Sequence, residues 1–247
     1  GDHRDLHSFP TRRSSDLLGY RHITGIKQWD SLSKARYLAE LRDSFYSGVD
    51  DTNEQMRALA RDIGSRADYV AQLLTSLHIF DESVKNDFYG VPIKQDDIEF
   101  SYITTALNYK NITDWLGLDG RSDFEAKNLN GDNLKKLLAW MFSKNHYGET
   151  ILGETRRLKT LAAVVSSSDA ITELEKRGDL DEAFLFTNGP EKALEEALNN
   201  ADSRLRVVWE LLRKSSAINN SHFSIAENLF EQSKNIRNHI RSIIEDK

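Results

Sequence analysis

Residues Met56–Thr75, MRALARDIGSRADYVAQLLT, decide how the rest of the chain is read. Met56, Leu59, Ala60 and Ile63 recur at i, i+3, i+4 and i+7, which is one apolar face of a helix. Gly64 follows, where a left-handed residue ends a helix without a Cβ penalty. Ser65 then offers a capping hydroxyl, and Asp68 completes a Ser-x-x-Asp pattern that predicts a second helix starting here. That helix turns Val70, Leu73, Leu74 and Leu77 toward the core. The same spacing predicts Arg66, Tyr69, Gln72, Thr75 and Ser76 on its other side. A small residue at the crossing (Ala60), a positive-φ residue in the turn (Gly64) and apolar locks (Val70, Leu73) are the requirements of a helix-turn-helix. Such a unit lays its second helix in the major groove of DNA. The same outline also describes an ordinary helical hairpin packed in an α-helical core.

Composition bounds what surrounds this unit. The chain has 247 residues, 33 Lys and Arg against 39 Asp and Glu, three prolines and no cysteine. That length holds one large or two modest domains. High charge, negative mean hydropathy and scarce proline suit a mainly helical protein in water. No apolar run is long enough to span a bilayer, so no membrane partner is expected. Without cysteine there are no disulfides or thiolate metal sites, and a reducing, cytoplasmic setting fits. The net charge of −6 excludes a generally basic nucleic-acid coat. It leaves room for a local site: between Leu18 and Phe80 eight basic residues balance eight acidic ones.

Residues 1–17, GDHRDLHSFPTRRSSDL, resemble one reading frame of a widely used short-read sequencing adapter and lack any periodicity. On that reading they are no part of the fold, and Leu17/Leu18 is an assembly seam. From Gly19 the text changes. Asp30 or Ser31 is placed to cap a helix carrying Leu32, Ala35, Leu38, Leu41 and Phe45, with Trp29 packing back onto it. Arg21, His22 and Lys27 form a small basic group ahead of it. A polar loop, Ser47–Asn53, leads to Thr52 or Asn53 as the cap of the helix-turn-helix's first helix.

The order YRHITGIKQW, KARYLAEL and LARDIGSRADYVAQLL resembles the middle region of ParB-like partition proteins of plasmids and other mobile elements. The resemblance covers Leu18 to Phe80. It implies sequence-specific binding of double-stranded DNA by the helix-turn-helix. In that family an N-terminal domain binds and hydrolyses CTP, and nothing in this chain matches that domain. The resemblance therefore implies a fragment whose CTPase or nuclease portion is not in this sequence, and no cofactor is assigned to any residue.

Beyond Phe80 the pattern stays helical. Asp96 and Asp97 read as a helix start, and NITDWLGL (Asn111–Leu118) as a short helix anchored by Trp115. The polar break after Asp119 suggests a boundary between Gly120 and Gly131. The expected organisation is an 18–120 helix-turn-helix region followed by a 131–247 helical domain. In the latter, Asp132, Ser168 and Asp179 read as caps, and Asn188-Gly189-Pro190 as a stop and restart with Pro190 in a first helical turn. Leu194, Leu198, Ala201, Leu205, Val208 and Leu212 then alternate steps of four and three, a seven-residue repeat. Ile225, Leu229, Ile236, Ile240 and Ile243 follow on a last helix. These two form an antiparallel hairpin that packs on itself, on earlier helices, or on a second copy as a homodimer.

No catalytic or metal motif is present: there is no Gly-rich phosphate loop, no His-Glu-x-x-His and no nucleophile elbow. The expectation is thus an all-α, non-enzymatic DNA-binding protein. Arg66, Tyr69, Gln72 and Thr75 line the groove-facing side of the second helix, with the first three at base edges; Ser65 lies near a phosphate, and Arg21, Lys27 and Arg57 contact the backbone. The competing expectation is a helical interaction or dimerisation module whose helix-turn-helix is only packed core. A poorly basic second helix and an acidic chain favour it.

Overall fold

The computed structural model describes residues 29–245. The adapter-like run 1–17 and the basic residues Arg21 and Lys27 lie outside the described residues. Among the described residues there are eleven α-helices and no strand. They are α1 (Ser31–Leu41), α2 (Thr52–Ile63), α3 (Ala67–Lys85), α4 (Phe100–Ala106), α5 (Lys110–Trp115) and α6 (Gly131–Phe142). They continue as α7 (Leu158–Val164), α8 (Ser168–Arg177), α9 (Leu180–Leu185), α10 (Pro190–Lys214) and α11 (Asn220–Glu245). The all-α class follows from the sequence pattern. The domain division does not.

Contacts divide the chain into two units at Ala193/Leu194, not in the 120–131 break. One continuous cluster of buried side chains runs from Ala35 to Ala183. The break is a surface turn within it. Asn130 N–H donates to Leu116 O at 2.8 Å and Asn133 Nδ2 to Trp115 O at 2.7 Å, which ties the start of α6 to the end of α5. Trp115 and Trp140 stack at 5.6 Å across the same junction.

The first unit is built around α3, which packs against α1, α2 and α4. From Val70 to Phe80 nearly every residue of α3 is buried, on both sides of the helix. Phe80 meets Phe100 edge-on at 5.9 Å. The buried hydroxyls of Thr75, Ser76 and Ser83 donate back to the carbonyls of Ala71, Gln72 and Ile79, so their burial leaves no unmet donor. Helices α4, α5 and α9 pack on α7, and α8 packs on α9, completing the unit.

Several helix ends differ from the expected caps. Asp30 and Asp179 cap α1 and α9 as expected. Asp51, not Thr52 or Asn53, caps α2, and Asn130, not Asp132, caps α6. Ser167 takes the place expected for Ser168. In each case the oxygen one or two residues earlier reaches the free N–H of the first turn, and the expected residue is already helical. Asp96 and Asp97 sit in a separate 3-10 turn, and α4 begins only at Phe100. After α3 the chain makes a left-handed turn, with φ of 47°, 51°, 55° and 77° at Asp87, Phe88, Tyr89 and Gly90. The buried Phe88 ring and the Tyr89 ring, which lies over Gly131, hold that turn in place.

Gly117 is the tightest backbone approach. Its φ is +79°, and a Cβ there would lie 2.3 Å from the carbonyl oxygen of Asn128. Backbone cannot step aside as a flexible side chain can. Gly117→Ala is therefore expected to cost about 2–4 kcal/mol, from left-handed strain plus overpacking. Thermal unfolding checks it, with a fall in Tm of about 5 °C or more expected.

Candidate functional site

The α2–turn–α3 unit has the geometry that its sequence requires. Gly64 stands at φ 68°, ψ 38°, Ser65 N–H donates to Ala60 O at 2.8 Å, and Gly64 N–H to Arg61 O at 3.3 Å. This pair of bonds is a Schellman closure, and it fixes the direction in which the chain leaves α2. Met56, Leu59 and Ala60 are buried against α3, with Val70 and Leu73 on the facing side.

What the unit presents differs from the expectation. Helix α3 begins at Ala67, its N-cap is Arg66, and no side chain caps it, so the Ser65–Asp68 capping pair does not form. Asp68 instead accepts from Arg121 Nη2 at 2.6 Å and lies 3.4 Å from Arg66 Nε. Arg66 is 78% exposed at its side chain, Ser65 and Tyr69 are half-buried, and Arg57 is exposed. These four remain at the surface.

Gln72 and Thr75 do not. Gln72 is 4% exposed and Thr75 0%, so neither can reach a base edge, and both are removed from the groove-reading set. The cause is α4. Gln72 Nε2 donates to Thr104 O at 2.7 Å and to Asn108 Oδ1 at 3.1 Å. Asn108 Oδ1 also accepts from Arg121 Nη1 at 3.2 Å. A polar chain thus runs Gln72–Asn108–Arg121–Asp68–Arg66 and seals the side of α3 that the helical period left free. Beside it, an open groove of about 580 Å³ is lined by Asp51, Glu54, Arg57, Ala60, Arg61, Ser65 and Ala67. Two carboxylates and two guanidiniums leave it without a dominant sign, so it does not focus a polyanion.

The most exposed apolar surface lies elsewhere. Among the described residues, sixteen of the nineteen exposed large hydrophobic residues fall between Leu194 and Ile244, in the second unit. Among the described residues of α10 and α11 only Ala193 is buried, and Ile240 is half-buried. The repeat positions Leu198, Leu205, Val208, Leu212, Leu229, Ile236 and Ile243 are 40–48% exposed, and Trp209, Phe223, Phe230 and Ile244 are 64–68% exposed. Near the turn between the helices, Val208, Leu211, Leu212, Ile218, Ile225 and Leu229 line an apolar cleft of about 380 Å³. The sequence signal that marks this surface is the seven-residue repeat itself; the repeat does not disclose that the single chain leaves the stripe largely exposed.

Among the described residues no group of three or more His, Asp or Glu side chains could hold a metal ion. No helix of the described residues is long and apolar enough to cross a membrane. Comparison with protein-family models, curated proteins and solved structures finds no match for this chain.

The two α3 residues with opposite placement separate packing from surface chemistry. Gln72→Ala removes the side-chain donor to Thr104 O and one of the two donors to Asn108 Oδ1, and is expected to lower unfolding stability by about 1–3 kcal/mol. Arg66→Ala, at an exposed pair, is expected to change it by less than about 0.5 kcal/mol. Denaturant titration of both variants reads the difference.

Proposed function

We propose that this chain is a helical assembly protein that self-associates through the α10–α11 hairpin. One observation carries the reading: two helices of 25 and 26 residues keep a seven-residue apolar repeat that their own chain does not bury. Helices of this kind gain little from propensity alone and depend on covering the apolar face. Isolated exposed hydrophobics need no partner, but sixteen concentrated on one helical hairpin mark an interaction surface. Half-exposed side chains of this number offer on the order of 1,000 Å² per copy, within the range of a stable protein interface. The folded first unit supports the reading by what α3 does: Gln72, Thr75 and Ser76 are spent on internal bonds.

Sedimentation of the full chain tests it. The wild-type chain is expected to be dimeric at micromolar concentration, and Leu205→Asp with Leu229→Asp monomeric with the first unit still folded. A wild-type chain that stays monomeric up to about 100 μM, well above the affinities of specific interfaces, overturns the proposal.

A second reading, DNA contact by a ParB-like fragment, is favoured by the Gly64 turn and by the exposure of Arg57 and Arg66 at one end of α3. Ser65 and Tyr69 flank them. With Gln72 and Thr75 covered, this surface suits phosphates better than base edges. Arg57→Ala with Arg66→Ala is then expected to weaken binding to random-sequence duplex evenly and to flatten the salt slope by about two. Gel shifts between 50 and 200 mM salt read both, and a wild-type chain with no shift at 50 mM rejects the reading.

A further inference from the structure

We infer that two copies pair tip to tip, with the α10–α11 turns at the same end of a four-helix bundle and α10 of each copy lying against α11 of the other. The inference rests on the self-association just proposed and adds its arrangement. Three features of the hairpin carry it.

The first is the width of the apolar face. On α11, Leu229, Ile236 and Ile243 recur at seven residues, and Ile225 lies four before the first of them. Phe223, Phe230 and Ile244 form a parallel row one residue on, with Arg237 completing it, and Ala226 and Ile240 lie between the two rows. At 100° per residue these positions span roughly 160° of the helix. A narrow seam serves one neighbouring helix, and a face this wide serves two. One neighbour is α10 of the same chain. The other must come from outside the hairpin.

The second is charge. The first half of α10 carries Glu191, Glu195, Glu196 and Asp202 against one Lys192, and its second half Arg204, Arg206, Arg213 and Lys214 against one Glu210. Helix α11 repeats the order: Glu227 and Glu231 come first, then Lys234, Arg237 and Arg241 before Glu245. The macrodipole accounts for the end turns only. Asp202, Arg204, Arg206, Glu231 and Lys234 lie in mid-helix, where the sign change needs another cause. Within the hairpin the ion pairs are local, Arg206–Asp202 at 2.8 Å and Lys234–Glu231 at 3.3 Å. Any two of these helices side by side and antiparallel set acid against base; side by side and parallel, they set like against like. The surface therefore complements a second copy of itself, provided that every adjacent pair is antiparallel.

Two bundles meet that condition, with turns at the same end or at opposite ends, and the third feature separates them. On α10 the broad apolar zone is confined to the half near the turn. Trp209 is followed toward the free end of α10, at the same place in the repeat, by Asp202 and Glu195. Leu211 is followed by Arg204, and Val207 by Asn200. On α11 the row Phe223, Phe230 is interrupted by Arg237 and resumes at Ile244. Counted outward from Ala217, Leu211 is level with Phe223, so both helices are wide next to the turn; Arg204 is level with Phe230, where α10 has already narrowed. With turns at opposite ends and every adjacent pair antiparallel, α10 lies against α10 of the other copy, which would set Trp209 against its acidic, Asn-rich half. Turns at the same end set the wide apolar zones of the two copies against each other, and the exposed Trp209, Phe223 and Phe230 are buried together.

The chain has no cysteine, so one introduced thiol is unique. Ser216→Cys in the turn, spin-labelled on the full chain, gives one intermolecular distance per dimer by pulsed dipolar spectroscopy. A 25-residue helix is about 37 Å long. Tip-to-tip pairing predicts a distance below about 25 Å, and turns at opposite ends about 35–40 Å. The short distance supports the inference. The long distance in a labelled chain that sediments as a dimer overturns the arrangement and leaves self-association standing. A labelled and an unlabelled chain that both sediment as monomers overturn the self-association and this arrangement with it.

Discussion

The amide of Gln72 is held by the Thr104 carbonyl and Asn108, and that bond states the constraint on which the first unit depends: α3 is covered on both sides. A helix in that position must satisfy every polar group that it carries without water. Thr75, Ser76 and Ser83 do so through their own helix, Gln72 through α4 and the turn that follows it, and Asp68 through Arg121. With these bonds in place, α1, α2 and α4 can all pack on one rod. The bonds fix its rotation too, since turning α3 by one residue would strand the Gln72 amide against apolar neighbours.

That constraint sets the chemistry left at the surface. A helix sealed from Val70 to Phe80 offers only its two ends to a ligand, and the basic end within the helix-turn-helix is its first turn. There the cation Arg66 shares the carboxylate of Asp68 with Arg121, and the groove beside it pairs two acidic with two basic side chains. The hairpin is the opposite case. Its charges alternate by half-helix, its apolar rows face outward, and almost nothing in it is buried by its own chain. One unit uses polar side chains to complete a core, and the other uses them to border an uncovered apolar face.

Much of this was legible in the sequence, and the reason for each success is local. Gly64 and Pro190 act through their own backbone geometry, Asp30 and Asp179 reach amides two or three residues away, and the α10 repeat is a period within one helix. What failed depends on residues far along the chain. Gln72 meets Asn108 across 36 positions, and Asp68 meets Arg121 across 53. A signal was nonetheless there to be weighed. Gln72, Thr75, Ser76, Ile79 and Ser83 follow the steps i, i+3, i+4, i+7 and i+11, and apart from Gln72 they are small or apolar. That is a second packing face, and with Val70, Leu73, Leu74 and Leu77 on the first it describes a helix between two neighbours. Polar letters in that row suggest exposure as long as one apolar stripe suffices to explain the helix.

The same reasoning, applied to α10 and α11, explains why their rows cannot be read as a second α3. In α3 the two faces are narrow-sided and filled by residues that bond or pack without charge, so neighbours can close on them from both directions. In α10 the corresponding flank changes from Trp209 to Asp202 and Glu195 within two heptads. A core helix cannot carry that change, because burying the charged half would need a partner for each carboxylate. A helix that is covered only near one end can. The gradient along this flank of α10, apolar near the turn and charged toward the free end, is therefore the mark of an element built to be covered over part of its length.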